Sequence, residues 1–413
     1  MAEDLDVVVI GAGAAGIGAA RQLQEAGVAY RVLEARDRIG GRAWTDDSFA
    51  VPVDLGCFWL WQGSRNSIAA LARAQGRNLL PDNKPFRLFQ GDQPLGAAEV
   101  EAYEAEIAAA FLRIAEAQED DLDCPVLDVA QPEGRYDALV ESLLGPWMMG
   151  EEVARVSVAE WYDIHERETD LVVPDGLGTV VSKAGEGLRV DLETPVTAID
   201  WSGPAVRVET AKGTLQARTA IVTLPIGVLA AESVRFSPGL PADALRVIEG
   251  LAPGVLMKIV LEFEQDPFGL GANVTVVRER KAGQAPFWLV GLNGGPLAVC
   301  YIGGDWAREM ERAGEAEALA YARGALRWIF GETIDRGFRR GRITEWGRDP
   351  WALGSYSVGR PGTAHLRGAM PDALDGRLYF AGEAWEPEDA ALVNGAFDSR
   401  SKAAKAVLES LRT

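Results

Sequence analysis

The sequence predicts an α/β fold anchored by a β-α-β unit at the start. Three observations carry this. Residues 6–11, DVVVIG, form a short apolar run rich in β-branched residues, the pattern of a strand buried on both faces. Gly11-Ala12-Gly13-Ala14-Ala15-Gly16 follows, and then IGAARQLQEAG, an amphipathic helical run stopped at Gly27. Residues 30–34, YRVLE, read as a second strand, so the glycines fall at the first turn of a β-α-β unit.

The later elements follow in order. Residues 77–175 are rich in Ala and Glu at helical spacing, as in AAEVEAYEAEIAAAFLRIAEAQEDDLD and SVAEWYDIHERE, and predict several helices. From residue 188 the apolar period becomes two. AVRVET and TLQARTAIVTL flank Lys212-Gly213, which reads as a β-hairpin. A second β-rich stretch, residues 255–303, contains LMKIVLEFE and PLAVCYIGG. A helix is expected over 315–330, a last strand over 377–382 (RLYFAG) and a terminal helix over 393–412.

Composition excludes several classes. A chain of 413 residues is long for one core and implies two or three lobes. Acidic residues outnumber basic ones 61 to 41, a formal charge of −20. Phosphate backbones need a basic face, so nucleic acid is not an expected partner. This field favours cations, although it serves solubility equally well. Cys57, Cys124 and Cys300 are odd in number and far apart, without disulfide or metal spacing. With only His165 and His365, no histidine-rich metal site is expected. Met1 to Asp6 carry no basic n-region, and no apolar run reaches the roughly 18 to 20 residues that span a bilayer. The expectation is a cytoplasmic protein without metal or membrane.

The Gly11-x-Gly13-x-x-Gly16 pattern gains its meaning from the strand before it, the helix after it and Glu34 closing the next strand. Gly11 permits the tight turn, Gly13 lets backbone approach a pyrophosphate, and Gly16 lets the helix pack on the strand. The helix N-terminus offers free N–H groups to phosphate, and Glu34 can accept hydrogen bonds from a ribose diol. LEARDRIGGRAWT then supplies Gly40-Gly41 and Arg42, a second phosphate-contacting loop that a nicotinamide fold does not need. These features together predict a Rossmann-like FAD-binding domain.

Here the sequence resembles the flavin-containing amine oxidase family, of the monoamine and polyamine oxidase type. LEARDRIGGRAWT looks like the family's FAD motif, and VDLGCFWLWQGSRNSIAAL like its DLG segment. VPDGLGTVVSKAGEGLRVDLETPVTAIDW, AIVTLPIGVLAAESVRFSPGLP, APGVLMKIVLEF, WGRDPWALGSYS and YFAGEAW…VNGAFDSRSKAA follow in the family's order. Residues 77–175 match poorly, as suits a region that shapes substrate choice. The resemblance implies an FAD-binding domain from residues 1–76, 176–245 and 340–413, and a discontinuous α+β substrate domain from 77–175 and 246–339.

The resemblance also implies roles for residues. Gly11, Gly13, Ala15, Gly16, Glu34, Ala35, Arg36, Gly41 and Arg42 would surround the dinucleotide, and Val196 would touch adenine through its backbone. Gly382 and Glu383 would approach the phosphate and ribityl region, and Val393 would open the last helix toward the flavin O2. A helix N-terminus there favours negative charge on the ring. Lys258 would hold a water near the flavin N5; strand alternation by itself leaves this lysine facing inward or outward. Trp346 would pack on the isoalloxazine, and Tyr356 would form one wall of an aromatic cage that holds the amine, with Trp59, Trp61 and Leu392 completing the substrate pocket.

Three positions depart from the family's patterns. Ser355 stands where covalent members carry cysteine, so FAD is expected to be non-covalent. The second cage wall, often tyrosine, falls at Leu392, which makes the cage one-sided. Trp61 replaces a histidine common in polyamine oxidases, and the DLGCFWLW segment holds no arginine for a substrate carboxylate. The function implied is oxidation of an amine C–N bond: hydride passes to flavin, the imine hydrolyses to carbonyl and amine, and O2 becomes H2O2. The expected substrate is a small-molecule amine without a free α-carboxylate, bulky or secondary. An L-amino acid oxidase, a C–C desaturase and a non-catalytic FAD-binding module are the alternatives.

Overall fold

The computed structural model describes residues 5–164, 170–280, 283–371 and 373–412. The N-terminal residues 1–4, His165 and the end of the SVAEWYDIHERE helix (165–168) lie outside the described residues.

Two sheets organise the chain. The first has eight strands, in the order Val190–Asp191, Tyr30–Leu33, Leu5–Ile10, Gly213–Val222, Val206–Thr210, Val196–Asp200 and Arg235–Ser237, with Leu378–Phe380 also paired to Gly213–Val222. Leu5–Ile10 runs parallel to both neighbours. Its alternate residues feed two cores. Val7 and Val9 pack with Leu23, Tyr379 and Val407 on one face, and Val8 and Ile10 with Val222, Leu378 and Phe380 on the other. Burial on both faces is why the strand reads as an unbroken apolar run. The expected hairpin at Lys212-Gly213 is present, Val206–Thr210 pairing antiparallel with Gly213–Val222. The helices Ala14–Glu25 and Val393–Ser410 pack together, so closely that a Cβ on Gly18 would lie 2.7 Å from the Phe397 carbonyl.

The second sheet has seven strands, in the order Phe338–Ile343, Leu256–Phe263, Leu297–Gly303, Phe287–Val290, Val274–Arg278, Phe86–Gln90 and Gln93–Pro94. One face packs under the helices Gly304–Ala313 and Glu315–Phe330, which bury Ala307, Ala318, Ala322 and Leu326. The other face turns Leu289, Val299 and Tyr301 toward Phe58 and Leu55 of the N-terminal segment. The strand Phe338–Ile343 straddles the boundary expected at 339/340.

The stretch 77–175 is helical as expected over Ala97–Glu119 and in shorter helices after it. It also contains strands that its composition does not announce, among them Phe86–Gln90 and Leu171–Val172. Phe86–Gln90 pairs parallel with Val274–Arg278, a partner far away in sequence, so nothing local marks it. Among the described residues, no helix is long and apolar enough to cross a membrane.

Candidate active site

Both sheets border one cavity of about 710 Å³. At one end lies the glycine turn. Gly11 sits at φ +102, a conformation that disfavours a side chain, and a Cβ there would meet Thr223 Oγ1 at 2.6 Å. Gly13 forms a bridge to Gly40 of the second loop, and the Gly40 N–H donates to the Ala12 carbonyl at 2.8 Å. A Cβ on Gly13 would meet only the Gly41 Cα, at 4.0 Å, so one side of this backbone stands open. Gly16 does not line the cavity; a Cβ there would fall 1.9 Å from the Gly11 carbonyl oxygen, so its part is helix-on-strand packing. The helix Ala14–Glu25 has no side-chain cap and no acidic residue in its first turn. Its N-terminal N–H groups are left for an anion.

Glu34 is buried and accepts from the Ala12 N–H at 2.8 Å and the Arg36 N–H at 2.9 Å. It thus ties the first turn to the second loop and keeps lone pairs for a diol. Ala15, Ala35, Gly41 and Val196 line the same end. Arg36 also lines it, but its guanidinium is forked onto Asp349 at 2.7 and 2.8 Å. Arg42 donates through Nη1 to the Ser355 carbonyl at 3.0 Å and to Glu383 at 3.2 Å. Gly382, Glu383 and Val393 border the cavity beside them. Val393 begins the helix Val393–Ser410, whose N-terminus has no side-chain cap. The open Gly13 backbone, two uncapped helix starts and Arg42 supply donors, and Glu34 an acceptor, in a set that fits a dinucleotide flavin.

Strand register resolves the direction of Lys258. It is 3% exposed, and its Nζ donates to the Asp54 and Gly56 carbonyls, each at 2.7 Å. Burial lowers its pKa to about 8, against the opposing pull of the nearby Asp54 carboxylate. The ammonium lies 5.5 Å from the Phe58 ring centre and 5.3 Å from that of Tyr301. Asp54 is a positioning group that sequence reasoning passed over inside the DLG segment. Its carboxylate accepts from the Leu177 and Gly178 N–H groups at 2.8 and 3.0 Å and from the Thr45 hydroxyl, which pins the helix Leu177–Ala184 to the segment that holds Lys258. Cys57 lines the cavity as well, its thiol pushed up to about 12 by burial.

Trp346 is buried and donates from its ring N–H to the Leu55 carbonyl at 3.0 Å. The Tyr356 hydroxyl donates to the Met148 carbonyl at 3.1 Å. Trp59 donates to Asp82 at 2.8 Å, and Trp61 and Leu392 line the cavity with it. The structure adds Trp147 and Phe287, whose ring centres lie 5.4 Å apart edge to face. Phe287 stacks in turn on Tyr301 at 4.3 Å. The aromatic lining is therefore broader than the one-sided cage expected from Leu392. Trp147 belongs to the stretch that matched the family poorly, so no motif marked it. Asp170 and Glu104 supply carboxylates to the lining, and burial together with Asp82 raises the Asp170 pKa to about 6. Among the described residues, no cluster of three His, Cys, Asp or Glu could hold a metal.

The family profile described as flavin containing amine oxidoreductase matches residues 14–130 and 150–408. Polyamine oxidase 2 of Arabidopsis thaliana is 30% identical over 434 residues, covering 97% of this chain and 87% of the relative. Lysine-specific histone demethylase 2 of Homo sapiens is 27% identical over 443 residues, covering 95% of this chain and 52% of that protein. The solved structure of cyclohexylamine oxidase from Brevibacterium oxydans IH-35A superposes with a TM-score of 0.79 at 23% identity, over 100% of both chains. That likeness is one of fold.

Proposed function

Because the chain belongs to the flavin containing amine oxidoreductase family, and is thus a flavin-dependent amine oxidase, we propose that it holds FAD without a covalent bond and oxidises the C–N bond of a small-molecule amine lacking an α-carboxylate, with O2 as electron acceptor. The imine product hydrolyses to a carbonyl compound and an amine, O2 leaves as H2O2, and the cytoplasm is the setting. The division of labour assigns segments 1–76, 176–245 and 340–413 to the cofactor and 77–175 and 246–339 to the substrate.

One observation carries the substrate reading. The aromatic end of the cavity, with Trp59, Trp61, Trp147, Phe287 and Tyr356, has Lys258 as its cation, and that ammonium is already bonded to two carbonyls. Among the described residues that line this end, its other charged groups are the carboxylates of Asp170 and Glu104, and the Lys84 ammonium beside Trp59 is already paired with Asp82. A substrate carboxylate would be buried here without a partner, which is costly, whereas an ammonium finds π faces and anions.

The bound flavin supplies the hydride-accepting N5 and the route of electrons to O2. The chain's own residues do the rest. Trp346 and Tyr356 orient the amine, the aromatic walls exclude water, and Lys258 holds a water at its Nζ. Hydride loss needs the neutral amine, so the reductive rate rises with pH as the bound amine loses its proton. The test is anaerobic flavin bleaching by matched pairs, each an amine and its α-carboxylated analogue, across pH. Faster bleaching by the amine of each pair is expected. Faster bleaching by the carboxylated member of most pairs would replace this reading with an amino acid oxidase, bleaching only by apolar polycyclic substrates with a desaturase, and no bleaching with a non-catalytic module.

A further inference from the structure

Behind the cavity wall runs a chain of buried charges that the reaction itself does not use. Glu160, on the helix Val158–Ile164, is 4% exposed, and Arg367, on the turn Ala364–Ala369, is 2% exposed. The Arg367 guanidinium forks onto the Glu160 carboxylate through Nη2 and Nε. Its Nη1 donates to the Ser357 hydroxyl at 2.6 Å and to the Ala384 carbonyl at 3.1 Å. The Ser357 hydroxyl and N–H donate to Oε2 of Glu383, and Arg42 donates to Oε1 of Glu383 at 3.2 Å. The order is anion, cation, hydroxyl, anion, cation. Glu383 and Arg42 line the cavity; Glu160, Arg367 and Ser357 stand behind them.

The order has a physical reason. A carboxylate beside a diphosphate is repelled by it and keeps its place there only if counter-charges and hydrogen bonds hold it. Glu383 occupies such a place if Arg42 meets the diphosphate. Both its oxygens are engaged, so the carboxylate has one defined orientation. Arg42 spends Nη1 on Glu383 and the Ser355 carbonyl, and its Nη2 and Nε make no hydrogen bond to the described residues. Those donors remain for an anion in the cavity. We propose that Arg367, clamped by Glu160 and acting through Ser357, is a positioning residue for FAD: it holds Glu383 in one orientation, and Glu383 in turn aims Arg42 at the diphosphate and ribityl segment. This rests on the FAD reading of Glu383 and Arg42.

The test is FAD titration of the apoprotein, followed by flavin fluorescence, with the melting temperature of each apoprotein measured in parallel. Ser357→Ala cuts the link between Arg367 and Glu383 with little change of volume. It is expected to raise the FAD Kd about tenfold, the scale of one charge-assisted hydrogen bond, while the apoprotein melts as the parent does. The double variant Glu160→Gln, Arg367→Met removes the pair without leaving a lone buried charge, and is expected to weaken FAD to a similar extent. A lower melting temperature with an unchanged Kd in both variants would make the chain a purely structural clamp and overturn the proposal. Arg42→Met separates the two failures. If it weakens FAD while Ser357→Ala does not, the positioning inference falls alone. If it too leaves Kd unchanged, the FAD reading of this wall falls, and the proposal with it.

Discussion

Replacing Lys258 by methionine tests the buried ammonium by two independent readouts. The lysine's pKa is lowered from 10.5 to about 8, chiefly by burial. Between these values the unfolded chain binds a proton that the native chain does not, so this group makes stability rise with pH across that window. That lowering corresponds to about 3 kcal/mol, present as a penalty below pH 8 and gone above pH 10.5. Methionine has similar length and no charge. It removes that penalty and strands the Asp54 and Gly56 carbonyls, at a cost of about 1–3 kcal/mol each. Near pH 7 the two effects offset one another within a few kcal/mol. By pH 10 most of that penalty has gone, so the variant falls behind the parent by about 2–3 kcal/mol more than it does at pH 7. Denaturant titrations at the two pH values measure this difference. A gap between parent and variant that is the same at both would refute the buried, charge-destabilised lysine. Stopped-flow traces supply the second readout. FAD stays bound and one half-reaction slows, most of all reoxidation by O2; unchanged rates in both would remove Lys258 from the chemistry.

Gly13→Leu fills the open side of the turn and is expected to yield folded, colourless protein; a full flavin complement at 450 nm after purification would contradict the cradle assignment. Leu392→Tyr narrows the cavity beside Tyr356 and shifts preference toward small primary amines by about tenfold in relative reduction rate, and an unchanged ratio between small and bulky amines would count against this pocket. Glu311 is buried and its pKa is raised from 4.5 to about 7, first of all by desolvation. The native state therefore binds more protons than the unfolded chain between these values, and stability is lost as pH rises through them. Glu311→Gln keeps the acceptor for the Gly347 N–H and removes that loss. It should stabilise the protein at pH 8 by up to about 3 kcal/mol and not at pH 4, and a pH-independent effect in thermal melts would refute the assignment.

Where the physics is local, the sequence by itself determined the structure. The strand Leu5–Ile10 is apolar throughout because both its faces are buried, and the glycine turn is legible because Gly11 must adopt φ +102 and Gly16 must let the helix close on the strand. The hairpin at Lys212-Gly213 and the helix Glu315–Phe330 are likewise set by near neighbours, through turn chemistry and a 3.6-residue period. Cofactor class followed from two loops close together in the chain. Tertiary structure alone decided what depends on partners distant in sequence. The strand Phe86–Gln90 exists because Val274–Arg278 offers it an edge. Alternation left Lys258 two directions, and the Asp54 and Gly56 carbonyls, some two hundred residues earlier, selected the inward one. Trp147 and Phe287 joined the cavity from segments without a motif, and Glu160 met Arg367, 207 residues further along the chain. A buried charge or ring is specified by what surrounds it, and a one-dimensional pattern records only the surroundings that the chain itself supplies within a few turns or strands.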